Sequence, residues 1–266
     1  LLAPLPNRGI PELRQAIAGH LAAFRGMRVD PENILIGAGT DFLYNLLIQL
    51  LGREKIYAVE EPGYGKIRKI YAAGGVKTVS AAMDDRGVIP ESLGSADVLH
   101  ISPSHHFPTG IVTPVSRRRE LLDWANRGKK WIIEDDYDSE FRFDAHPVPA
   151  MQSLDDGGRV IYMNSFSKSL APSIRISYMV LPETLLPAYE ENGRCFSATV
   201  SKTDQKILEE FMRSGAFERH LNRMRAQYKG KHDLLIRLLK EFGREYTVSG
   251  ENAGVHVLVH LSLIHI

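Results

Sequence analysis

Three features are scarce in this chain, and each scarcity excludes a class of protein. Cysteine occurs once, at Cys195, so no disulfide can form within the chain, which suits a reducing compartment. The net charge is only +1, so binding to nucleic acid through bulk charge is not indicated. No apolar run approaches the ~18 residues that a membrane span needs. These observations predict a soluble, cytoplasmic globular protein without a membrane partner.

The two ends of the sequence also lack features that complete chains have. There is no initiator methionine, and the start LLAPLPNRG has neither the basic segment nor the cleavage site of a signal peptide. The last residues, HVLVHLSLIHI, form an apolar, strand-like run that no partner strand follows. We therefore expect this chain to be a fragment.

The stretch from Asn164 to Arg175, NSFSKSLAPSIR, carries the clearest chemistry. It follows an apolar run that predicts a buried strand, and it places Lys168 among the hydroxyls of Ser165, Ser167 and Ser169. A lysine amine at a strand end can form a Schiff base with a carbonyl, and hydroxyls with an arginine suit a neighbouring phosphate. Pyridoxal phosphate (PLP) has both groups. An isolated lysine is more often a solvated charge, so the rest of the chain must decide.

A second motif, GAGTD at residues 37–41, lies between a short predicted strand and a helical pattern. A turn of this kind directs backbone N–H groups and the positive end of the helix dipole at an anion, which suits phosphate. The motif lacks the lysine of a P-loop and the glycine spacing of a dinucleotide fingerprint. An ordinary helix N-cap turn therefore remains an alternative.

Strand and helix patterns alternate along most of the chain. Predicted strands cover 34–36, 55–60, 76–83, 97–102, 130–134, 160–163, 176–181, 245–249 and 256–261. Predicted helices cover 9–24, 42–51, 66–73, 116–126, 183–190, 201–213 and 218–242. Such alternation predicts an α/β fold with a mostly parallel sheet flanked by helices, and the polar motifs follow strands, where such sheets bind ligands. We expect a large domain over 1–182, then a long-helix region and a truncated α+β small domain over 183–266.

Four motifs in this order resemble the fold type I PLP-dependent aminotransferases of class I and II. They are PSHHFPTG (103–110), EDDYDSEFRF (134–143), NSFSKSLAPSIRISYMVLP (164–182) and ERHLNRMRAQY (218–228). Asp135 stands 33 residues before Lys168, which is typical of this group. In detail the motifs are most similar to the aminotransferase-like domain of MocR-type regulators of the GntR superfamily.

The resemblance implies a role for each candidate residue. Lys168 would carry PLP and move the α-proton of the substrate. Asp135 would pair with the pyridine nitrogen, Tyr137 with the ring oxygen, and Tyr64 would stack on the ring. The residues implied to hold the phosphate are Gly39, Thr40, Asp41, Ser165, Ser167 and Arg175. The family forms homodimers with cofactor sites at the interface, so we expect a homodimer.

Several charged residues near these motifs allow more than one interpretation. Asp136 and Asp138 are more simply explained as solvated charges than as part of a site. A calcium loop is excluded, because Glu140 stands where such a loop needs glycine. The adjacent His105 and His106 point in different directions and make a poor metal pair, so no metal site is predicted.

Three further assignments stay open. His106 could border the cofactor, although this is the less favoured reading, and Arg68 could face either the cofactor or solvent. The basic residues of the 218–228 motif and the residue after it are spaced along an amphipathic helix and favour a solvated face over a DNA-binding one. They are Arg219, Arg223, Arg225 and Lys229.

Two functions fit these residues. The first is transamination between amino acids or amines and 2-oxo acids. The second is effector sensing by a regulator whose DNA-binding helix-turn-helix would precede Leu1. Phe107 replaces the asparagine that contacts the ring in most classical aminotransferases, which favours the regulator lineage. The family's substrate-carboxylate arginine would lie beyond residue 266. A catalytically inactive scaffold is disfavoured, because the lysine, aspartate and tyrosine are all present.

Overall fold

The centre of the molecule is an eight-stranded sheet. The structure is a computed structural model that describes residues 4–142, 148–241, 246–250 and 254–261. The strands are β1 (Ile34–Gly37), β2 (Ile56–Glu61), β3 (Lys77–Asp84), β4 (Gly87–Val88), β5 (Val98–Ile101), β6 (Trp131–Asp135), β7 (Val160–Ser165) and β8 (Ser177–Val180). Their order across the sheet is β1-β8-β7-β6-β5-β2-β3-β4.

Most of this sheet is parallel, as predicted. Strands β3, β2, β5, β6 and β7 are parallel neighbours, whereas β8 lies antiparallel to both β7 and β1. Strand β1 therefore runs in the same direction as β7. The carboxyl ends of β1, β2, β5, β6 and β7 consequently meet at one edge of the sheet, where α/β proteins bind their ligands. The two-residue β4, which turns back on β3, is too short to give a sequence pattern.

Eight α-helices accompany the sheet within the described residues. They are α1 (Pro11–Arg25), α2 (Thr40–Leu51), α3 (Gly65–Ala73), α4 (Val115–Gly128), α5 (Phe166–Ser169), α6 (Leu186–Ala188), α7 (Lys202–Arg213) and α8 (Ala216–Glu241). The stretch predicted as a helix over 183–190 is helical, but it is not one regular α-helix. The chain instead forms a 3-10 turn, the short α6 and a π turn (Tyr189–Gly193), because Pro187 has no N–H to continue a regular ladder.

Both faces of the sheet are covered, because neighbouring residues of the central strands point to opposite sides. Ile133 packs into a core with Leu47 of α2, and Ile132 packs into another core with Leu121 of α4. A third core joins α1 to β1, β8, α7 and α8. The continuous apolar runs of these strands follow from burial on both faces.

The C-terminal region consists of α7 and α8 and a small antiparallel sheet of β9 (Tyr246–Ser249) and β10 (Leu258–Leu261). The predicted helix end at Phe242 and strand start at Glu245 lie outside the described residues, as does Phe143. The division of the chain at residue 182 stays a prediction. No helix in the described ranges is long and apolar enough to cross a membrane.

Candidate active site

A cavity of about 380 Å³ opens at the edge of the sheet where the five parallel carboxyl ends meet. Nine of the ten residues singled out from the sequence line it: Thr40, Asp41, Tyr64, Asp135, Tyr137, Ser165, Ser167, Lys168 and Arg175. The tenth, Gly39, is the N-cap of α2 and lies against the Arg175 guanidinium. The structure therefore brings together residues that are up to 136 positions apart in the sequence.

Lys168 lies on the short α5, directly after β7. The side chain of Ser165 caps this helix by accepting the Ser167 N–H at 3.2 Å, and the Ser167 hydroxyl donates to the Ile174 carbonyl at 3.2 Å. Lys168 itself is exposed to the cavity, and no hydrogen bond or ion pair with another described residue holds its amine. The turn thus fixes the backbone and leaves the nucleophile able to react.

The carboxylate of Asp135, at the end of β6, is buried and has one engaged oxygen and one orphaned oxygen. Oδ2 accepts a hydrogen bond from the Tyr44 hydroxyl at 2.5 Å and lies 3.6 Å from Nε2 of His100. His100 Nδ1 in turn lies 2.7 Å from the Tyr71 hydroxyl. Oδ1 is buried and has no hydrogen-bond partner among the described groups. Such an oxygen is costly unless a bound donor satisfies it.

Sequence reasoning missed Tyr44 and His100 as members of this site, although both line the cavity. One usable signal exists for each. His100 is the polar residue in the otherwise apolar strand VLHI. Tyr44 follows Thr40 by one turn of α2, so the side chains of Tyr44 and Thr40 lie on the same face of that helix. Sequence analysis missed Tyr44 because a tyrosine at this position of the helix pattern is equally compatible with the hydrophobic core.

The opposite end of the cavity is suited to an anion. Gly39 has φ of +90°, and a side chain there would come within 2.3 Å of the Arg175 guanidinium. The first N–H groups of α2 receive no side-chain cap from Gly39. The Asp41 carboxylate lies 2.7 Å from the Lys66 ammonium and 3.6 Å from Arg175. Lys66 was not among the predicted site residues. The two positive charges of Lys66 and Arg175 exceed the single negative charge of Asp41.

Aromatic side chains cover part of the cavity. Tyr64 and Phe107 are both exposed and meet edge to face with ring centroids 5.8 Å apart. The Tyr137 hydroxyl donates to the His105 carbonyl at 2.9 Å, and burial together with the nearby Asp138 raises the pKa of Tyr137. The predicted bond from Tyr137 to a cofactor ring oxygen stays a prediction, as does stacking by Tyr64.

The interpretation of Asp136 and Asp138 as solvated charges is wrong, because both are buried. Asp136 pairs with the Arg25 guanidinium at 3.0 Å and accepts the Tyr162 hydroxyl at 2.6 Å. Burial alone would raise the pKa of Asp136, but Arg25 and these hydrogen bonds lower it below its usual value. Asp138 Oδ2 lies 2.8 Å from Nδ1 of His105. Both carboxylates are therefore buried and paired with a neighbouring side chain.

The structure also places the residues whose assignments the sequence left open. His106 is buried and does not line the cavity; it lies 2.7 Å from Thr109 and 3.6 Å from the Glu60 carboxylate, which does. Arg68 lines the cavity and pairs with Glu61 at 3.0 Å. On α8, Arg225 departs from the predicted solvated face, because its guanidinium donates to the Glu140 carbonyl at 2.7 Å. Arg219 and Arg223 are exposed, as expected.

Glu60 also lines the cavity, and the ionisation of its buried carboxyl group should make the stability of the fold depend on pH. Burial raises its pKa to about 8 from 4.5, against the lowering effect of the Ser102 N–H. The unfolded chain therefore loses this proton at lower pH than the folded chain. We expect the free energy of unfolding to fall as pH rises from 5 to 8, by roughly 1 kcal/mol per pH unit.

Urea unfolding at several pH values measures this slope. Glu60→Gln should reduce the slope, because the amide cannot ionise, and the slope that remains is the part contributed by Glu140, whose pKa burial also raises to about 8. Glu91→Gln, at an exposed position on a 3-10 turn, should leave it unchanged. Equal slopes in wild type and Glu60→Gln would show that the cavity carboxyl group does not control the pH dependence.

The fold and the lysine-bearing cavity define an aminotransferase-like α/β domain. The chain belongs to the aminotransferase class I and II family, whose model matches residues 3–264. Among solved structures, an archaeal alanine:glyoxylate aminotransferase superposes with a TM-score of 0.87 at 25% identity, covering 97% of this chain and 67% of that one. The kynurenine aminotransferase of Pyrococcus horikoshii, solved in complex with PMP, gives 0.85 at 25% identity, with coverage of 97% and 67%.

Curated relatives confirm the similarity to MocR-type regulators. The HTH-type transcriptional regulator YhdI of Bacillus subtilis is 40% identical, over 96% of this chain and 55% of its own length. The probable rhizopine catabolism regulatory protein MocR of Rhizobium meliloti is 34% identical, over 96% of this chain and 52% of its own length. The chain thus spans about half the length of the curated relatives it matches.

Proposed function

We propose that this domain binds PLP covalently through Lys168 and uses it to react with amino acids or amines. One observation carries the proposal: the Lys168 amine and the orphaned Oδ1 of Asp135 belong to the same cavity. The similarity to an aminotransferase solved with PMP supports the choice of group. An absorption spectrum with added PLP tests it, as argued in the Discussion.

The residues present fit this cofactor at its ring nitrogen and at its phosphate. An unpaired buried carboxylate oxygen accepts a protonated ring nitrogen, and the uncapped start of α2 with Arg175 and Lys66 accepts a phosphate. The Ser165 and Ser167 hydroxyls stand beside them. The bound group supplies an electron sink for the substrate's α-carbon.

The chain's own residues then hold and move protons. Asp135, fixed by the Tyr44 hydroxyl, would keep a proton on the ring nitrogen of the bound cofactor. The Lys168 amine, which lines the cavity, would take the proton from the substrate's α-carbon and return it. Tyr64 and Phe107 cover the cavity and limit the entry of water.

A change at Gly39 tests the anion cradle. Gly39→Ala should weaken PLP binding by about tenfold, because a methyl group would displace Arg175 and a non-glycine residue at φ of +90° is strained. Gly230→Ala, in the open interior of α8, is the matched control and should leave affinity unchanged. Fluorescence titration with PLP measures both. Equal affinities would remove Gly39 and Arg175 from the phosphate site.

A second function, effector sensing, is favoured by two observations. The YhdI and MocR relatives are named as regulators, and about half of each lies outside the match. Phe107 cannot donate the ring contact that asparagine makes. In this reading the domain is part of a cytoplasmic homodimer, and an amine or amino acid bound at Lys168 changes DNA binding by an attached helix-turn-helix domain.

Product analysis separates the two functions. After an amino acid is added to the PLP-loaded domain, transamination would release up to one 2-oxo acid per loaded chain, because the amino group passes to the bound cofactor. Effector capture changes the spectrum reversibly and releases no 2-oxo acid. Chromatography of the filtrate therefore decides between them.

A further inference from the structure

Three polar side chains outside the cavity converge where the C-terminal segment meets the large sheet. His105 follows β5, Asp138 follows β6, and His256 precedes β10. One ligand atom of each lies within 4.8 Å of the others. His105 and Asp138 are buried, and His256 is half-buried. His105 is adjacent to His106 in the sequence, but the fold places His105 next to His256, which is 151 positions away.

The hydrogen bonds of this cluster leave two imidazole nitrogens without partners. Asp138 Oδ2 lies 2.8 Å from Nδ1 of His105, which places the ring proton on Nδ1 and the lone pair on Nε2. Nε2 of His105 and Nε2 of His256 are both buried, and neither has a hydrogen-bond partner among the described groups. The two rings lie close, with centroids 4.1 Å apart.

We propose that His105, His256 and Asp138 form a binding site for a divalent transition metal of the zinc type. Imidazole nitrogens and a carboxylate are the donors that this class of ion prefers. A carboxylate that orients a ligating histidine through its second nitrogen is a recurrent arrangement at such centres. The unpartnered Nε2 atoms of the two histidines would ligate the ion, and Asp138, bonded to Nδ1 of His105, would orient that ring.

The surrounding backbone supports a fixed site. The Gly254 N–H donates to the Phe141 carbonyl at 2.6 Å. Any side chain at Gly254 would meet the His105 ring at 1.8 Å and Asp138 at 2.6 Å. Because His256 comes from the C-terminal segment and the other two residues from loops of the large sheet, a bound ion would join these two parts.

The site also reaches the cavity. The Tyr137 hydroxyl donates to the His105 carbonyl, and the His256 ring lies 5.3 Å from that of Phe107, centroid to centroid. Metal binding would therefore restrain two residues that line the cavity. The inference does not depend on PLP, because none of the three residues lines that cavity.

Calorimetric titration with Zn²⁺ tests the proposal on the purified chain. The polyhistidine tag is removed, the protein is treated with chelator, and Cys195→Ser replaces the exposed thiol in every sample. We expect saturable binding of one ion per chain. A Co²⁺ spectrum should show bands of nitrogen and oxygen ligation, and Mg²⁺ should not compete.

Three variants assign the donors. His256→Gln should abolish stoichiometric binding, and Asp138→Asn should weaken it about tenfold or more. His260→Gln, at an exposed histidine on β10, is the matched control and should bind as the parent does. No saturable binding by the parent chain, or unchanged binding by a folded His256→Gln, would overturn the proposal. Circular dichroism of the metal-free variants verifies folding, and PLP binding by the same samples keeps this outcome separate from the proposed function.

Discussion

Lys168→Ala is expected to abolish the visible absorption band that appears when PLP is added to the wild-type chain. The band requires a covalent bond between the cofactor's aldehyde and an amine, and an alanine has no amine to offer. The Lys168 side chain is exposed to the cavity, and its amine makes no hydrogen bond or ion pair with another described residue. The variant should therefore retain its structure. Borohydride should also remove the band from wild type by reducing that bond.

Lys66→Ala is the matched control, because Lys66 is a second lysine of the same cavity. Its ammonium pairs with Asp41 at 2.7 Å, so its loss should weaken binding of the phosphate but leave the band at saturating PLP. A band that persists in Lys168→Ala and disappears in Lys66→Ala would move the covalent site to Lys66. Circular dichroism of each variant distinguishes a lost cofactor bond from a lost fold.

The fold and the lining of the cavity were predictable because local patterns carried them. Strand and helix patterns such as those of β6 and α4 are set by burial, and parallel strands then force their carboxyl ends to one edge. Lys168 and Asp135 could thus be placed together from their positions after β7 and β6 alone. Site chemistry that depends on residue type and on position at a strand end can therefore be predicted from the sequence.

What the sequence could not show was the direction of side chains beneath that edge. In the sequence, Asp136 and Asp138 resemble solvated charges, because no neighbouring residue indicates that Arg25 and His105 contact them in the fold. Their partners are 111 and 33 positions away, and long-range pairing of this kind leaves no periodic signal. Burial of a carboxylate is decided by a partner that only the tertiary structure supplies.

Asp136→Ala is expected to destabilise the folded chain by about 3–5 kcal/mol, because it leaves the Arg25 charge buried without its carboxylate. The Arg25 and Asp136 side chains are 3% and 0% exposed and lie 3.0 Å apart. Among the described residues, the other hydrogen-bond acceptors of Arg25 are neutral oxygens, of Ser104 at 3.1 Å and Val148 at 3.3 Å, which cannot replace a charge. Urea unfolding monitored by circular dichroism measures the change.

Asp123→Ala is the control, because Asp123 pairs with Arg127 on the surface of α4 at 3.7 Å, with side chains 66% and 84% exposed. Its cost should be below about 1 kcal/mol. Removing both charges by Arg25→Met with Asp136→Ala should cost less than the sum of the single changes, because neither charge is then left unpaired. Additive costs would mean that the buried pair is not the source of the stability. Because Asp136 directly follows Asp135, its loss should also weaken PLP binding, by freeing the end of β6 that holds the ring partner.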